Sequence, residues 1–254
     1  MVARRRTAAL RWVLKCLSDT GCLAGRVAFG AVLVAAVISA AAAAGAASRG
    51  QLYPQGTPTR AIQDLDAKLD EFKTGVLTPE EEAYNRQIKQ DIIHGTFDIR
   101  ELSRQSLAKH WKARTPAERD QFVQILTDLL EEKALFSKEQ SVAKSKKKNS
   151  SVYRVEYRGH KFYDKAKTRA YVRTRVVLPN EDISITLNYR LKKKGDEWKI
   201  YDVIVDEASL VDNYRYQFNS IITKHGYPDL VSRMNKKLGD IKSKRKGSKK
   251  GSAS

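Results

Sequence analysis

The chain has 254 residues, a formal net charge of +19 and a mean hydropathy of -0.53. A chain of this length forms one large domain or two small ones. Both cysteines, Cys16 and Cys22, lie within the first 47 residues, which excludes a disulfide framework in the rest of the chain.

The first 47 residues have the pattern of a secretory signal peptide. Six Lys or Arg residues precede a run from Val27 to Ala47 that contains no charged residue, and Ala44-Gly45-Ala46 near its end is an exit of the A-x-A type. An uncleaved membrane anchor is the alternative, because the uncharged run is long enough to span a bilayer. The many alanines in the second half of the run favour cleavage. The sequence therefore predicts an exported protein.

Residues 48–56 form a predicted linker, and four helix starts follow it. Thr78-Pro79-Glu80-Glu81 and Thr115-Pro116-Ala117-Glu118 have the pattern of capping boxes with Pro at the first helical position. The segment from Asp98 to Glu101 has the same pattern without Pro, and Thr57-Pro58 is a weaker start. Apolar residues recur after each start at helical spacing, which predicts four helices with one apolar stripe each. The stripes consist of Ile62, Leu65, Leu69 and Phe72; Tyr84, Ile88 and Ile92; Leu102, Leu107 and Trp111; and Phe122, Ile125, Leu126, Leu129 and Leu130.

Near Ser150 the pattern changes from helical spacing to alternation. The predicted strands are Val152–Tyr157, Ala170–Leu178, Ile183–Leu191 and Trp198–Val205, with turns at Pro179–Asp182 and Lys194–Glu197. Four consecutive strands with short turns form an antiparallel meander with one buried and one wet face. A helix follows from Ser209 to the stop at Gly226, and a short last helix spans Pro228 to Leu238. This order predicts an α+β fold: a curved antiparallel sheet of about four strands with helices packed on one face.

Residues 242–254 are predicted to be a disordered basic tail. They contain six Lys or Arg residues and no acid. In an exported protein the available polyanions are phospholipid headgroups and lipopolysaccharide, so we expect no nucleic-acid partner. The tail either increases solubility or attracts the protein to an anionic membrane surface.

Residues with catalytic chemistry are few. The four histidines, His94, His110, His160 and His225, have no partner at metal-ligand spacing, and neither a phosphate-binding Gly-rich loop nor a G-x-S-x-G motif is present. The sequence predicts no metal, no cofactor and no catalytic residue. Asp202, Asp206 and Glu207 lie where the fourth strand meets the next helix. Acid–base catalysis is one interpretation of these carboxylates, but such residues more often cap a helix or pair with Arg.

Three stretches resemble the MlaC (toluene-tolerance) family. They are Phe97–Leu102 with Leu107–Trp111; Thr115–Phe122 with Leu129-Leu130; and Trp198–Val203 leading into Ser209–Phe218. The third is the most specific, because it contains W-x-x-Y-D-V followed by S-L-V-x-x-Y-R-x-Q-F. Order and spacing agree over residues 57–241. Where family members commonly have E-G-V-S, this chain has Asp206-Glu207-Ala208-Ser209.

The resemblance implies that residues 57–241 are a lipid-binding domain of a periplasmic phospholipid shuttle, one of the proteins that maintain outer-membrane lipid asymmetry. The family partners are an inner-membrane ABC transporter complex with an MCE-domain protein and an outer-membrane lipoprotein complex. An enzyme of related cone-shaped α+β fold, with a small acid/base pocket, is the alternative function. A basic adaptor that acts through its tail alone is a third.

Eight residues are predicted to enclose an apolar cavity for acyl chains. They are Val172, Ile185, Leu187 and Tyr189 on one face of the sheet, Tyr214 and Phe218 four residues apart on a helix, and Leu126 and Leu130 closing the cavity from the helical side. The hydroxyl groups of Tyr189 and Tyr214 are expected at a wet mouth beside the lipid ester or phosphate. Both a dry cavity and an ordinary packed core fit the alternation.

Overall fold

A computed structural model describes residues 52–73, 77–144, 154–178 and 183–250, with side-chain surroundings for all of these except 133–144, 178, 183 and 244–250. The predicted signal peptide, the first residues of the linker, the first two residues of the first predicted strand and the turn at 179–182 lie outside the described residues. Within them the chain forms seven helices and five strands. These are α1 (Pro58–Asp70), α2 (Pro79–Thr96), α3 (Ile99–Leu107), α4 (Lys109–Lys112), α5 (Pro116–Lys144), β1 (Arg154–Phe162), β2 (Arg169–Leu178), β3 (Ile183–Lys194), β4 (Glu197–Val205), β5 (Ala208–Ser209), α6 (Leu210–His225) and α7 (Tyr227–Lys250).

Local hydrogen bonds explain where the helices begin. At α2, Thr78 and Glu81 form the predicted capping box. At α5, the Thr115 N–H donates to Glu118 Oε2 (2.8 Å) and the Glu118 N–H donates to Thr115 Oγ1 (3.2 Å), so the second box forms too. Asp98 caps α3 by accepting a hydrogen bond from the Glu101 N–H at 2.9 Å. The prediction of a reciprocal bond from the Asp98 N–H to the Glu101 side chain is wrong. The Asp98 N–H donates to the Ile200 carbonyl instead.

The strands form one antiparallel sheet in the order β1-β2-β3-β4-β5. The four predicted strands are confirmed, and the two-residue strand β5 is added at the end of β4. Register places Val172 opposite Tyr189, Thr174 opposite Leu187 and Val176 opposite Ile185, so these six side chains share one face. The register shifts between Tyr157 and His160 in β1 and between Arg190 and Leu191 in β3. Such bulges bend a sheet and increase its twist. The predicted α+β class is confirmed.

The core is a continuous apolar layer between one face of the sheet and the helices. Helix α1 packs on β1, β2 and β4, whereas α6 packs on β4, β5 and α3, and α7 packs on α5 and α6. The opposite face of the sheet is polar, and Lys161 and Arg173 on it are exposed. Residues of β2 and β3 therefore largely alternate between a dry layer and the polar face, whereas β4 is buried from Ile200 to Val205 on both faces.

The helices differ from the prediction in three respects. Ala108 has φ 47°, which ends α3 and separates the predicted third helix into α3 and α4. Tyr84, predicted in an apolar stripe, is 44% exposed. Helix α7 continues past Leu238 to Lys250, so residues 242–250, predicted as disordered, are helical. Lys and Arg are good helix formers, and Ile241 is buried, which extends the helix beyond its predicted end.

Among the described helices, none combines the length and the apolar composition that a bilayer span requires.

Candidate functional site

The four predicted sheet residues lie together on the dry face of β2 and β3. Val172 and Tyr189 are a cross-strand pair and are buried at 0% and 2% exposure. Ile185 and Leu187 lie farther along β3, where they are only half-buried and pack against the edge of the core. The layer is therefore tightly closed near Tyr189 and less closed toward Ile185.

The four predicted helical residues belong to the same layer. Tyr214 and Phe218 stack on α6 with ring centroids 5.2 Å apart, and Phe122 of α5 meets Phe218 edge-on at 5.5 Å. Leu126 and Leu130, on the same helix as Phe122, are buried. The structure thus brings all eight predicted residues into one apolar layer. Their contact with acyl chains stays a prediction.

Neither tyrosine lies at a wet mouth, because Tyr189 and Tyr214 are each 2% exposed. Burial raises the pKa of the Tyr214 hydroxyl well above its ordinary value. In this structure the two rings are part of the packed layer, with their hydroxyls away from solvent.

A second feature, a cleft of about 540 Å³, lies on the polar face of the sheet. Register aligns Lys161, Tyr171, Arg190 and Asp202 in one row across β1 to β4. The cleft contains none of the eight predicted residues. It is lined by Gln105, Lys161, Tyr163, Tyr171, Arg190, Tyr201, Val211 and Arg215.

Beside the cleft, Glu101 is a buried carboxylate shared by three cations. It accepts hydrogen bonds from Arg104 (2.6 Å), Arg169 (3.1 Å) and Lys192 (3.2 Å), and one from Gln105, which lines the cleft. Burial acts to raise the pKa of the Glu101 carboxyl. The hydrogen bonds from Arg104, Gln105 and Lys192 outweigh burial and hold this pKa well below its ordinary value.

Asp202 has the opposite balance. Its carboxylate accepts from the Val211 N–H (3.0 Å), the Ser209 hydroxyl (2.8 Å) and Arg190 (2.9 Å), and its residue is fully buried. Burial and the nearby charge of Asp212 raise the pKa of the Asp202 carboxyl, and the bonds from Val211 and Ser209 and the charge of Arg190 offset that rise only in part. The prediction that this acid caps a helix and pairs with Arg is confirmed.

The acid–base alternative requires a histidine near Asp202 or Asp206. Asp206 instead accepts from the Thr186 N–H at 2.9 Å. Three histidines bond to other side chains, since His94 meets Glu131, His110 meets Asn219 and His160 meets Thr59. Within the described residues, no group of three or more His, Cys, Asp or Glu side chains has the arrangement of a metal site.

Both the sequence and the fold of the chain are similar to those of known proteins. A sequence model described as "MlaC protein" matches residues 64–236. The chain belongs to the MlaC family. No individual curated protein sequence matches it.

A solved structure has the same fold as this MlaC protein. It is a phospholipid-binding protein from Ralstonia solanacearum in complex with a phospholipid, with 19% identity and a TM-score of 0.56. The alignment covers 73% of this chain and 98% of that one.

The most specific MlaC motif holds the sheet and the helices together. The Trp198 indole N–H donates to the Gly56 carbonyl at 3.0 Å, which fastens β4 to the segment before α1. Asp202 binds the first turn of α6, and Arg215 donates to the Gln105 carbonyl of α3 at 3.1 Å. The turn that lacks the family's glycine has φ 45° at Asp206 and φ 71° at Glu207. Glu207 therefore adopts the left-handed conformation that glycine adopts without strain.

Sequence reasoning did not identify the cleft as a site. In the sequence, Tyr171, Arg173 and Arg175 alternate with the apolar residues of β2 and so fall on the face opposite the dry one, and Arg190 has the matching position on β3. A row of cations and tyrosines on that face was the available signal. The sequence did not reveal that α3 and α6 form a wall beside this row.

Proposed function

We propose that this MlaC-family protein is a non-catalytic periplasmic carrier that binds phospholipid by its acyl chains. The observation that carries the proposal is the continuous apolar layer between the sheet and the helices, in a chain whose family model covers residues 64–236. The related Ralstonia solanacearum structure contains a phospholipid and supports the same ligand class. Burial of acyl chains supplies the affinity, at roughly 0.8 kcal/mol for each methylene.

The acyl chains of the lipid enter at the less closed end of the apolar layer. Ile185 and Leu187 are half-buried there, and Val155 and Val176 form a small apolar cluster with Leu187 beside them. Toward Tyr189 the apolar layer is packed. The sheet and α6 must therefore move apart to admit two acyl chains. Removal of the chain methylenes from water offsets the lost contacts between the two layers.

Two buried hydroxyls on α3 support a ligand with polar atoms inside the helical layer. Ser103 and Ser106 are 0% and 1% exposed, and neither Oγ has a hydrogen-bond partner in the described part of the chain. An unpartnered buried hydroxyl costs about 1–3 kcal/mol. A lipid ester within reach of α3 removes that cost.

The carrier takes lipid to or from an inner-membrane ABC transporter complex with an MCE-domain protein and an outer-membrane lipoprotein complex. The cationic C-terminal part of α7 is suited to anionic headgroups at either membrane, since residues 242–250 include six Lys or Arg. Each such residue contributes about 1 kcal/mol near an anionic surface.

Truncation from Lys242 tests the membrane role of this segment. Ile241 is the last buried apolar residue among those whose side chains the structure describes, so the shortened protein is expected to keep its melting temperature and its lipid. Its sedimentation with anionic vesicles at low salt should weaken, and added salt should abolish the difference. Equal sedimentation of both forms means that the segment only increases solubility.

Native mass spectrometry of the detergent-free protein tests the carrier function itself. We expect a mass increment equal to one phospholipid per chain, and organic extraction should recover that lipid. A folded preparation that yields no phospholipid contradicts the carrier function.

A further inference from the structure

The cleft on the polar face of the sheet has the composition of an anion site. Three of its side chains are cationic: Lys161, Arg190 and Arg215. Lys161 is exposed on β1. Three tyrosines add hydroxyl donors, and two of them, Tyr163 and Tyr201, are hydrogen-bonded to each other.

The carboxylates near the cleft leave positive charge in excess. Arg190 pairs with buried Asp202 and lies 3.9 Å from Asp212, while Arg215 binds Asp212 at 2.6 Å. The adjoining Glu101 cluster has one carboxylate against three cations. Together the two groups contain six cations and three carboxylates. Local geometry therefore favours an anionic occupant, and low-dielectric walls strengthen its attraction.

We propose that this cleft binds the phosphate group of a phosphate ester. Two guanidinium groups and an ammonium group match the several oxygens of a tetrahedral phosphate, and Arg binds phosphate through paired N–H donors. The row from Lys161 through Tyr171 to Arg190 forms the floor, and Gln105 and Arg215 form the wall. The volume of about 540 Å³ admits a phosphate with a small alcohol attached.

Both a lipid headgroup and a soluble phosphate ester supply this chemistry. Val211 lines the cleft and is also part of the apolar core, one helical turn from Tyr214. A headgroup in the cleft is thus adjacent to the layer proposed for acyl chains. The lipid source rests on the proposed function, whereas phosphate binding does not.

Titration of the delipidated protein with inorganic phosphate at low salt tests the site. Lys161→Gln and Arg215→Gln should each weaken binding roughly tenfold, as expected for loss of a charge-assisted contact. Asp212→Asn removes a competing carboxylate and should strengthen binding several-fold. Arg173→Gln, an exposed cation on the same face but outside the cleft, is the matched control and should change binding less than twofold. Arg190 is left intact because it pairs with buried Asp202.

A second titration distinguishes the two sources. It uses a short-chain phosphatidylglycerol below its micelle concentration and a diacylglycerol of the same chain length. If Lys161→Gln weakens binding of the phospholipid and not of the diacylglycerol, the cleft holds a lipid headgroup. If only binding of inorganic phosphate weakens, it holds a soluble phosphate ester.

Equal binding of both phosphate probes by the wild type and all cleft variants overturns the proposal. If the wild type retains no phospholipid in the mass spectrum but phosphate affinity still follows the variants, the carrier function fails and the phosphate site stands.

Discussion

Strands β2 and β3 have two faces that differ in almost every physical respect. On one face Val172 and Tyr189 are buried in the apolar layer, and on the other Tyr171 and Arg190 line the cationic cleft. Adjacent residues of one strand therefore occupy opposite environments. A single period-two pattern thus builds both a dry surface and a cationic surface on the same two strands.

A charge on the dry face gives the largest expected effect. Val172→Asp buries an unpaired carboxylate at a position with 0% exposure, so the free energy of unfolding should fall by more than about 4 kcal/mol. Arg173→Asp, one residue away on the exposed face, should change it by about 0.5 kcal/mol or less. Urea denaturation measures both. Similar values for the two variants would contradict the assignment of the faces.

Removal of the buried carboxylate beside the cleft should have the next largest effect. Glu101→Leu leaves Arg104, Arg169 and Lys192 without their shared acceptor and should cost about 3 kcal/mol, the low end for a broken buried ion pair, because the cations are partly exposed. Glu156→Leu is the control, since Glu156 also binds two arginines but at the surface, and it should cost far less.

The same carboxylate predicts a pH dependence. The pKa of Glu101 is lower in the folded protein than its ordinary value of 4.5, so its stabilising contribution is complete above pH 4.5. That contribution is lost as the pH falls from 4.5 toward the folded pKa. Melting temperatures of wild type and Glu101→Leu should converge below pH 4.5. A constant difference down to pH 2.5 (roughly two units lower) would show that the charge contributes nothing.

A substitution to a bulky residue at the less closed end of the layer distinguishes a lipid cavity from an ordinary packed core. Leu187→Trp should reduce the lipid occupancy measured by native mass spectrometry with little change in melting temperature. In a solid core the same overpacking costs about 1–3 kcal/mol. Thr186→Trp, on the exposed face of the same strand, is the control and should keep the lipid. An early-melting Leu187→Trp that retains lipid identifies this position as core.

The smallest effect on stability is expected at the turn between β4 and β5, which directly precedes α6. Glu207 has φ 71°, and this left-handed conformation costs an L-residue about 1 kcal/mol. Glu207→Gly should therefore raise stability by about 1 kcal/mol, as measured by thermal unfolding. Glu207→Ala removes the charge but keeps the strain and should give no gain. Equal stabilisation by both would attribute the effect to charge.

Local features were predictable from the sequence, and contacts between distant segments were not. Capping boxes at Thr78 and Thr115 depend on four consecutive residues, and the strand faces depend on period-two spacing, so both are confirmed. Glu101 was expected to complete a third box. It is bound instead by Arg169 and Lys192, which lie 68 and 91 residues away along the chain.

The apolar layer could be predicted from the sequence, and the cleft could not. The eight apolar residues could be grouped because each lies on a predicted face, and the structure brings them into one layer. The cleft depends on the meeting of Gln105 and Arg215, which are 110 residues apart. No periodicity encodes that contact.

The two edges of the sheet are protected from pairing with other strands in different ways. Strand β1 is one edge strand, and it carries exposed Arg154, Arg158 and Lys161 together with a bulge beside Gly159. Charge and a bulge both oppose pairing with a strand of another molecule. The far border is covered, because β5 and the Asp98 N–H occupy hydrogen-bonding positions of β4. The sheet is thus protected from growth into an intermolecular β-structure, by repulsion at one border and by occupancy at the other.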